Sequence, residues 1–397
     1  MERHELGSWL RLTLTPGIGN AIARKLLLAF GLPQNVFQQS AAALRQVVSE
    51  AQATALCATP VELTDLLELT WKWLEESGQG SAQRRIVVLG EPDYPASFLS
   101  IEDPPLMLYL LGAGKLTAGL VNSIAVVGSR NPTPQGASNA RHFAKALGQA
   151  GLTVVSGLAL GVDGAAHEGA LESIEAGSHR LATVAVLGTG IDRVYPKSHL
   201  KLAHRITQNG LLMSEYPLGT PPLTANFPKR NRLIAGLGQG TLVVEAALKS
   251  GSLITARLTA DQGKDVFAIP GSIHSPQARG CHALIKQGAK LVESAQDVLE
   301  ELKIETRPAT VAALIEEAED SGDSESVFAT ERGLLDLLGF DPVGLDALQA
   351  RCGLDTANLQ AKLMTLELAG RVARLPGGLF QRVPISPANA PDWRSTW

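Results

Sequence analysis

Short apolar, β-branched runs recur at intervals of roughly 25 residues through the middle of the chain, and this rhythm constrains the fold most. They are Ile124–Val127, Thr153–Val155, Thr183–Leu187, Leu211–Met213, Thr241–Val244 and Val266–Ile269. Helix-length segments separate most of them. Alternation of this kind predicts a doubly wound α/β sheet. Two shorter strand candidates, Ile86–Leu89 and Leu106–Leu110, come before it. In an open parallel sheet, ligands bind beyond the carboxyl ends of the strands, near a switch in strand order. The turns after the strands are therefore where chemistry is sought.

The first such turn ends the run Ser123-Ile-Ala-Val-Val-Gly-Ser-Arg130. An apolar run of this kind reads as a strand buried on both faces. Gly128 and Ser129 offer backbone amides to an anion, and Arg130 supplies a cation at once. The plain alternative is a β–α turn with a solvated arginine. Asn131–Gly136 cannot be a strand, and a helix is expected over Asn139–Ala150.

Three more glycine-rich turns follow strands: Ser156–Gly164, Gly188–Gly190 and Pro270–Ser272. None matches G-x-G-x-x-G or the lysine-bearing phosphate loop, so dinucleotide and ATP binding lack motif support. Asp163 reads as the N-cap of a helix over Gly164–Glu175. His167, with no serine or cysteine nucleophile spaced to suit it, reads as a packed or capping residue. Glu215 and Glu245 end strands without a partner identifiable in sequence.

The densest basic feature is Asn226-Phe-Pro-Lys-Arg-Asn-Arg232. Three cations, two amides and one aromatic in seven residues suit phosphates plus a base or sugar. It reads as the end of an ordered, proline-rich loop from Tyr216, directly ahead of a strand; the bland reading is a solvated basic loop. Lys249 and Ser250-Gly-Ser-Leu-Ile-Thr-Ala256 add a cation, hydroxyls and a turn after the next strand. Tyr195-Pro-Lys197 contributes one more cation. These are distributed anion-binding groups without an evident nucleophile or paired catalytic carboxylates. No catalytic residue, cofactor or metal is expected.

The flanks differ in character. At 397 residues the chain calls for two or three domains. Residues 1–80 read as a helical domain in which Pro16-Gly-Ile-Gly19 forms the hairpin of a helix-hairpin-helix unit, for packing or for DNA. The sheet domain spans 85–302. Residues 303–328 form a linker, since six acidic residues from Glu316 to Glu325 meet no cation there. Over 329–385, helices at Leu334–Leu338, Leu345–Arg351 and Thr356–Ala369 precede a hairpin across Pro376-Gly-Gly378, which suggests a winged helix. Its expected recognition helix, Thr356–Ala369, carries Lys362 but also Glu367, so partner binding or packing weighs as much as DNA contact.

The net charge of −4 confines any nucleic-acid footprint to a local patch. Cys57, Cys281 and Cys352 are scattered, which gives neither a disulfide framework nor metal-ligand spacing and fits a reducing cytoplasm. No signal-type core follows the start, and no apolar run reaches the ~20 residues of a membrane span.

Val127-Gly-Ser-Arg130, Ser156-Gly-Leu-Ala-x-Gly-Val-Asp163, Tyr195-Pro196, Asn226-Phe-Pro-x-Arg-Asn-Arg232 and Ser250-Gly-Ser-Leu-Ile-Thr-Ala256 stand in an order that resembles the DNA-processing protein A family (DprA/Smf). The resemblance covers about residues 85–295, and both flanking domains are similar to those of many members. It implies an extended Rossmann-like domain, an N-terminal helix-hairpin-helix or SAM-like domain and a C-terminal winged helix. It further implies a non-enzymatic, cytoplasmic protein that binds single-stranded DNA without sequence preference. Protection of incoming DNA, loading of RecA in natural transformation and recombination, contact with single-strand-binding protein and homodimerisation through Ala283–Val292 are also implied.

By position, the expected DNA contacts are Gly128, Ser129, Arg130, Ser156, Gly157, Lys197, Asn226, Phe227, Lys229, Arg230, Asn231, Arg232, Lys249, Ser250, Gly251 and Ser252. The family often has asparagine in the Gly-x-x-Leu-Ile stretch, where Gly280-Cys-His-Ala-Leu-Ile285 places His282. A rival expectation is a nucleotide phosphoribohydrolase on a related sheet, since Gly238-Gln-Gly-Thr-Leu-Val-Val-Glu245 keeps Gly-Thr and a glutamate but lacks Pro-Gly-Gly. A transcription regulator acting through the winged helix fits less well, because its recognition helix is not basic.

Overall fold

The computed structural model describes residues 1–76, 82–113, 116, 120, 122–174, 180–304, 334–335, 337–338 and 341–383. The acidic tract Glu316–Glu325 lies outside the described residues.

Six helices open the chain: α1 Arg3–Leu14, α2 Asn20–Phe30, α3 Pro33–Phe37, α4 Ala41–Leu44, α5 Glu50–Cys57 and α6 Leu63–Glu75. In α1 the apolar residues Leu6, Trp9 and Leu10 fall three and four apart, which puts them on one buried stripe. Ser49 caps α5 through a reciprocal pair with Gln52. These helices do not close a core of their own. Leu6, Trp9 and Leu26 belong to the same apolar cluster as Ile86, Val88, Tyr109 and Leu212 of the sheet.

Nine strands form that sheet: β1 Gln83–Val88, β2 Met107–Gly112, β3 Ser123–Val127, β4 Thr153–Ser156, β5 Thr183–Val186, β6 Leu211–Ser214, β7 Gly240–Val243, β8 Asp265–Ala268 and β9 Lys290–Leu291. Their order is β1-β2-β6-β5-β4-β3-β7-β8-β9. From β6 to β9 every pairing is parallel, and β1 and β2 add an antiparallel edge. β3 is buried along its whole length, as its continuous apolar run required. The chain winds outward from β3 to β6, then returns to place β7 on the other side of β3. The switch point therefore lies between β3 and β7. The two-residue strand β9 was absent from the sequence reading because nothing in Lys290–Leu291 alternates.

Helices cover both faces: α7 Pro134–Gln149, α8 Val162–Glu172, α9 Leu200–Asn209, α10 Asn226–Leu237, α11 Ser252–Asp261, α12 Arg279–Lys286 and α13 Ala295–Glu301. Two of them correct the sequence reading. α7 starts at Pro134 rather than Asn139, because Thr133 caps the Gly136 amide and proline suits the first helical turn. Asn226–Arg232 is not a loop but the first two turns of α10.

The carboxy-terminal unit pairs β10 Val343–Gly344 and β11 Val372–Leu375 on either side of β12 Leu379–Arg382. α14 Leu345–Cys352 and α15 Thr356–Leu368 pack beside this sheet around Leu348, Leu359, Leu363 and Phe380. A short strand, two helices and a hairpin that closes a three-stranded antiparallel sheet make the winged helix expected.

Candidate nucleic-acid interface

The switch point opens into a cleft of about 480 Å³. The turn after β3 supplies Gly128, Ser129 and Arg130, α10 supplies Phe227, Arg230 and Asn231, and the turn after β7 supplies Lys249, Ser250, Gly251 and Ser252. Three segments spread along the chain from Gly128 to Ser252 thus converge at one ligand edge, and ten of the sixteen expected contacts line it.

Helical geometry explains which of them do. Phe227, Arg230, Asn231 and Ile234 recur at three, four and seven residues, so one stripe of α10 faces the cleft. Lys229 and Arg232, three apart, fall on another stripe. They face a separate crevice with Asp103, Glu215 and Tyr216. There Arg232 is paired with Glu215, both nearly buried, and lies 3.7 Å from Asp103. Read as a loop, the segment places all three of its cations at one ligand, and the helix corrects this.

Arg230 also departs from the role expected of it. It is 4% exposed, and its guanidinium donates to the carbonyls of Gly157 and Val186, which end β4 and β5. Its Nε donates to Asn231 Oδ1 at 3.2 Å. Burial lowers its pKa to about 10, against the favourable field of the nearby Asp163. Arg230 therefore staples two strand ends to α10 and forms the floor of the cleft, leaving few of its N–H donors for a phosphate. A Cβ on Gly157 would displace the Arg230 guanidinium that lies against it.

Asp163 is not the N-cap of α8, which is Gly161. Its carboxylate reaches back and accepts from the Gly157 and Ala159 amides at 3.1 and 3.3 Å. Burial raises its pKa, and Arg230 opposes the rise. The loop it braces holds Leu158 at a φ of +56°, an unusual backbone for leucine. Nδ1 of His199 donates to the Leu158 carbonyl at 3.1 Å and pins that conformation. His167 is packed, with Nδ1 2.7 Å from the Thr183 hydroxyl.

Four further expected contacts do not line the cleft. Ser156 is buried and donates to the Val126 carbonyl at 2.7 Å. Gly157 offers its carbonyl to Arg230. Asn226 is buried and donates from Nδ2 to the Gly188 carbonyl at 3.2 Å. Lys197 is exposed on the neighbouring turn. What remains open to a ligand is Arg130 and Lys249, the Ser250–Ser252 turn and the ring of Phe227. Arg130 Cζ lies 5.9 Å from that ring's centroid. Asn231 Nδ2 donates to the Gly251 carbonyl at 3.3 Å and ties the two walls together.

The sequence reading missed Asn131 and Gln277, which also line the cleft and are joined by a 3.3 Å bond from Gln277 Nε2 to the Asn131 carbonyl. Gln277 sits in an irregular loop and carried no signal. Glu245 has the partner that sequence could not identify: its carboxylate accepts from the Thr133 amide at 2.9 Å and the Thr133 hydroxyl at 2.6 Å. It faces the start of α7, not the cleft. His282, the departure noted in Gly280–Ile285, donates from Nε2 to the Gly271 carbonyl at 2.9 Å. In the amino-terminal hairpin, Asn20 and Arg24 are engaged by Asp103 at 3.0 and 3.2 Å, so that face packs on the sheet domain.

A largely parallel sheet whose switch point carries a cationic, aromatic cleft defines a Rossmann-like α/β protein with a candidate anion site. Among the described residues, no cluster suits a metal ion and no helix is long and apolar enough to cross a membrane. The profile of the DNA recombination-mediator protein A family matches residues 85–303, and that of the DprA winged helix domain matches residues 316–378. The chain belongs to the DNA recombination-mediator protein A family (DprA/Smf).

Protein Smf of Escherichia coli K12 is 39% identical over 313 residues, 79% of this chain and 80% of that protein. Protein Smf of Synechocystis is 32% identical and covers 96% of this chain and all of its own length. The crystal structure of DNA processing protein A from Streptococcus pneumoniae superposes with a TM-score of 0.59 at 34% identity. It covers 77% of this chain and 99% of its own.

Proposed function

We propose that this protein binds single-stranded DNA through the switch-point cleft, without reading its sequence. The observation that carries this is the joint placement of Arg130, Lys249 and Phe227. Two cations beside one aromatic ring suit a phosphate backbone and a base face, and every base has a face. Family membership supports the same reading, since related chains are named for DNA processing. With it come, as parts of the proposal, RecA loading onto incoming DNA, contact with single-strand-binding protein, a cytoplasmic location and a homodimer through Ala283–Val292.

A binding rather than hydrolytic role is supported by Glu245, the residue a phosphoribohydrolase would need. Both its oxygens are engaged by Thr133, away from the cleft. The test is a titration with labelled single-stranded and duplex DNA at several salt concentrations. Preference for the single strand, with affinity falling as salt rises, is expected. Equal or stronger duplex binding, or release of free base from a nucleoside monophosphate, would overturn the reading.

A further inference from the structure

The rim of the cleft carries an aromatic side chain that the DNA-binding reading has not used. Tyr195 is 50% exposed although it is a large ring in a turn flanked by ordered elements. Its ring centroid lies 5.5 Å from that of Phe227, with the planes tilted by 42°. Phe227 is fixed from behind, because Gly188 leaves so little room that a Cβ there would lie 2.9 Å from its Cδ1. Arg130 stands at the same ring. Phe227 lines the cleft and Tyr195 does not, so the second ring extends the surface past the cleft's edge.

The turn that carries Tyr195 is also held. Two residues on, the 3₁₀ turn Lys197–His199 begins, and His199 ties it to the Leu158 carbonyl. Lys197 itself is exposed and has no acidic partner among the ion pairs of the described residues. A half-exposed ring, a neighbouring ring already at the anion site and a cation two residues away form a repeat of the Arg130–Phe227 arrangement.

Resting on the single-stranded DNA reading, we infer that Tyr195 is a second base platform, which takes the nucleotide adjoining the one on Phe227, and that Lys197 takes that nucleotide's phosphate. The strand then leaves the switch point over the turn after β5 rather than along the Lys229–Arg232 face of α10. A ring accepts any base, so this subsite lengthens the footprint without adding sequence preference.

The test uses the full chain and labelled oligothymidylates of increasing length, read by fluorescence anisotropy. Tyr195→Ala should weaken binding about 5- to 150-fold, the range for loss of one base stack, and leave the salt slope unchanged. Tyr195→Phe should bind as the native chain does. Lys197→Ala should flatten the salt slope by about 0.7. In the shortest oligonucleotide that binds fully, one abasic position should cost the native chain affinity but cost Tyr195→Ala nothing more.

Native affinity of Tyr195→Ala at every length, beside weakened binding by Phe227→Ala, would overturn the inference and leave the function standing. So would equal weakening by Tyr195→Phe, which would assign the effect to the hydroxyl. An abasic penalty that persists at every position in Tyr195→Ala would also overturn it, since the ring would then act only by supporting Phe227. Failure of the native chain to bind any oligonucleotide at low salt would instead remove the function on which the inference rests.

Discussion

Replacing Arg230 should damage the fold before it damages the affinity. Its guanidinium holds the carbonyls that end β4 and β5, donates to Asn231 and faces Asp163 inside the protein. Arg230→Met keeps most of the volume but removes the donors and the charge. It leaves two carbonyls short of a partner and Asp163 uncompensated in a buried site. Each buried carbonyl left without a donor costs about 1–3 kcal/mol, and with the lost favourable field on Asp163 the total comes to about 3–5 kcal/mol. That is a large part of the ~5–15 kcal/mol that typically separates folded from unfolded chains.

With an m-value of about 2–3 kcal/mol/M in urea, the denaturation midpoint should fall by about 1–2.5 M. The loss should depend on pH. Asp163 already has a raised pKa, and without Arg230 it rises further. The folded mutant then binds more protons than the unfolded chain above the ordinary aspartate range. Its stability relative to the native protein must therefore fall as pH rises from about 4 toward neutrality. Adding Asp163→Asn should recover part of the midpoint and abolish the extra pH dependence. An unchanged midpoint in Arg230→Met, together with a shallower salt dependence of DNA binding, would refute this reasoning and return Arg230 to the phosphate.

Other outcomes separate the remaining charged groups. Arg130 and Lys249 in the cleft set a slope of log affinity against log salt of about −1.4, near −2.1 if Lys197 takes a third phosphate, and Arg130→Ala should make it about 0.7 shallower without moving the urea midpoint. Lys229→Ala, on the other stripe of α10, should leave affinity for short oligonucleotides within about twofold, and a loss comparable to that of Arg130→Ala would show that the strand runs over that face. Glu245→Gln should not impair DNA binding. Burial raises the pKa of Glu245, so the native protein loses this group's contribution as pH rises from the ordinary glutamate range toward the folded value. The stability of Glu245→Gln relative to native should accordingly increase between pH 4.5 and 7, and a decrease in paired urea denaturations would mean that the Thr133 bonds, not burial, dominate.

The strands of the sheet were legible because burial on both faces demands continuous apolar runs, and Ile124–Val127 and its counterparts supply them. The Gly128–Arg130 and Ser250–Ser252 turns were legible because glycine and hydroxyl residues directly after such runs fall at the carboxyl edge. Asn226–Arg232 was harder. Proline at 228 and the prolines before it suggested a loop, yet a proline in the first turn of a helix costs no hydrogen bond. Once the segment is a helix, its period sorts the cations: Arg230 shares a stripe with Phe227 and Ile234, while Lys229 and Arg232 share another. The signal was present, since Phe227, Arg230, Asn231 and Ile234 follow helical spacing. No period, however, could tell that Arg230 would be buried against Gly157 and Val186. Those carbonyls lie 73 and 44 residues earlier in the chain and approach each other only when β4 and β5 pair. The same reasoning applies to Glu245, whose partner Thr133 lies 112 residues away. A cation's usefulness to a ligand is set by what the fold leaves unpaired, and at this switch point that leaves Arg130 and Lys249 rather than the densest basic run.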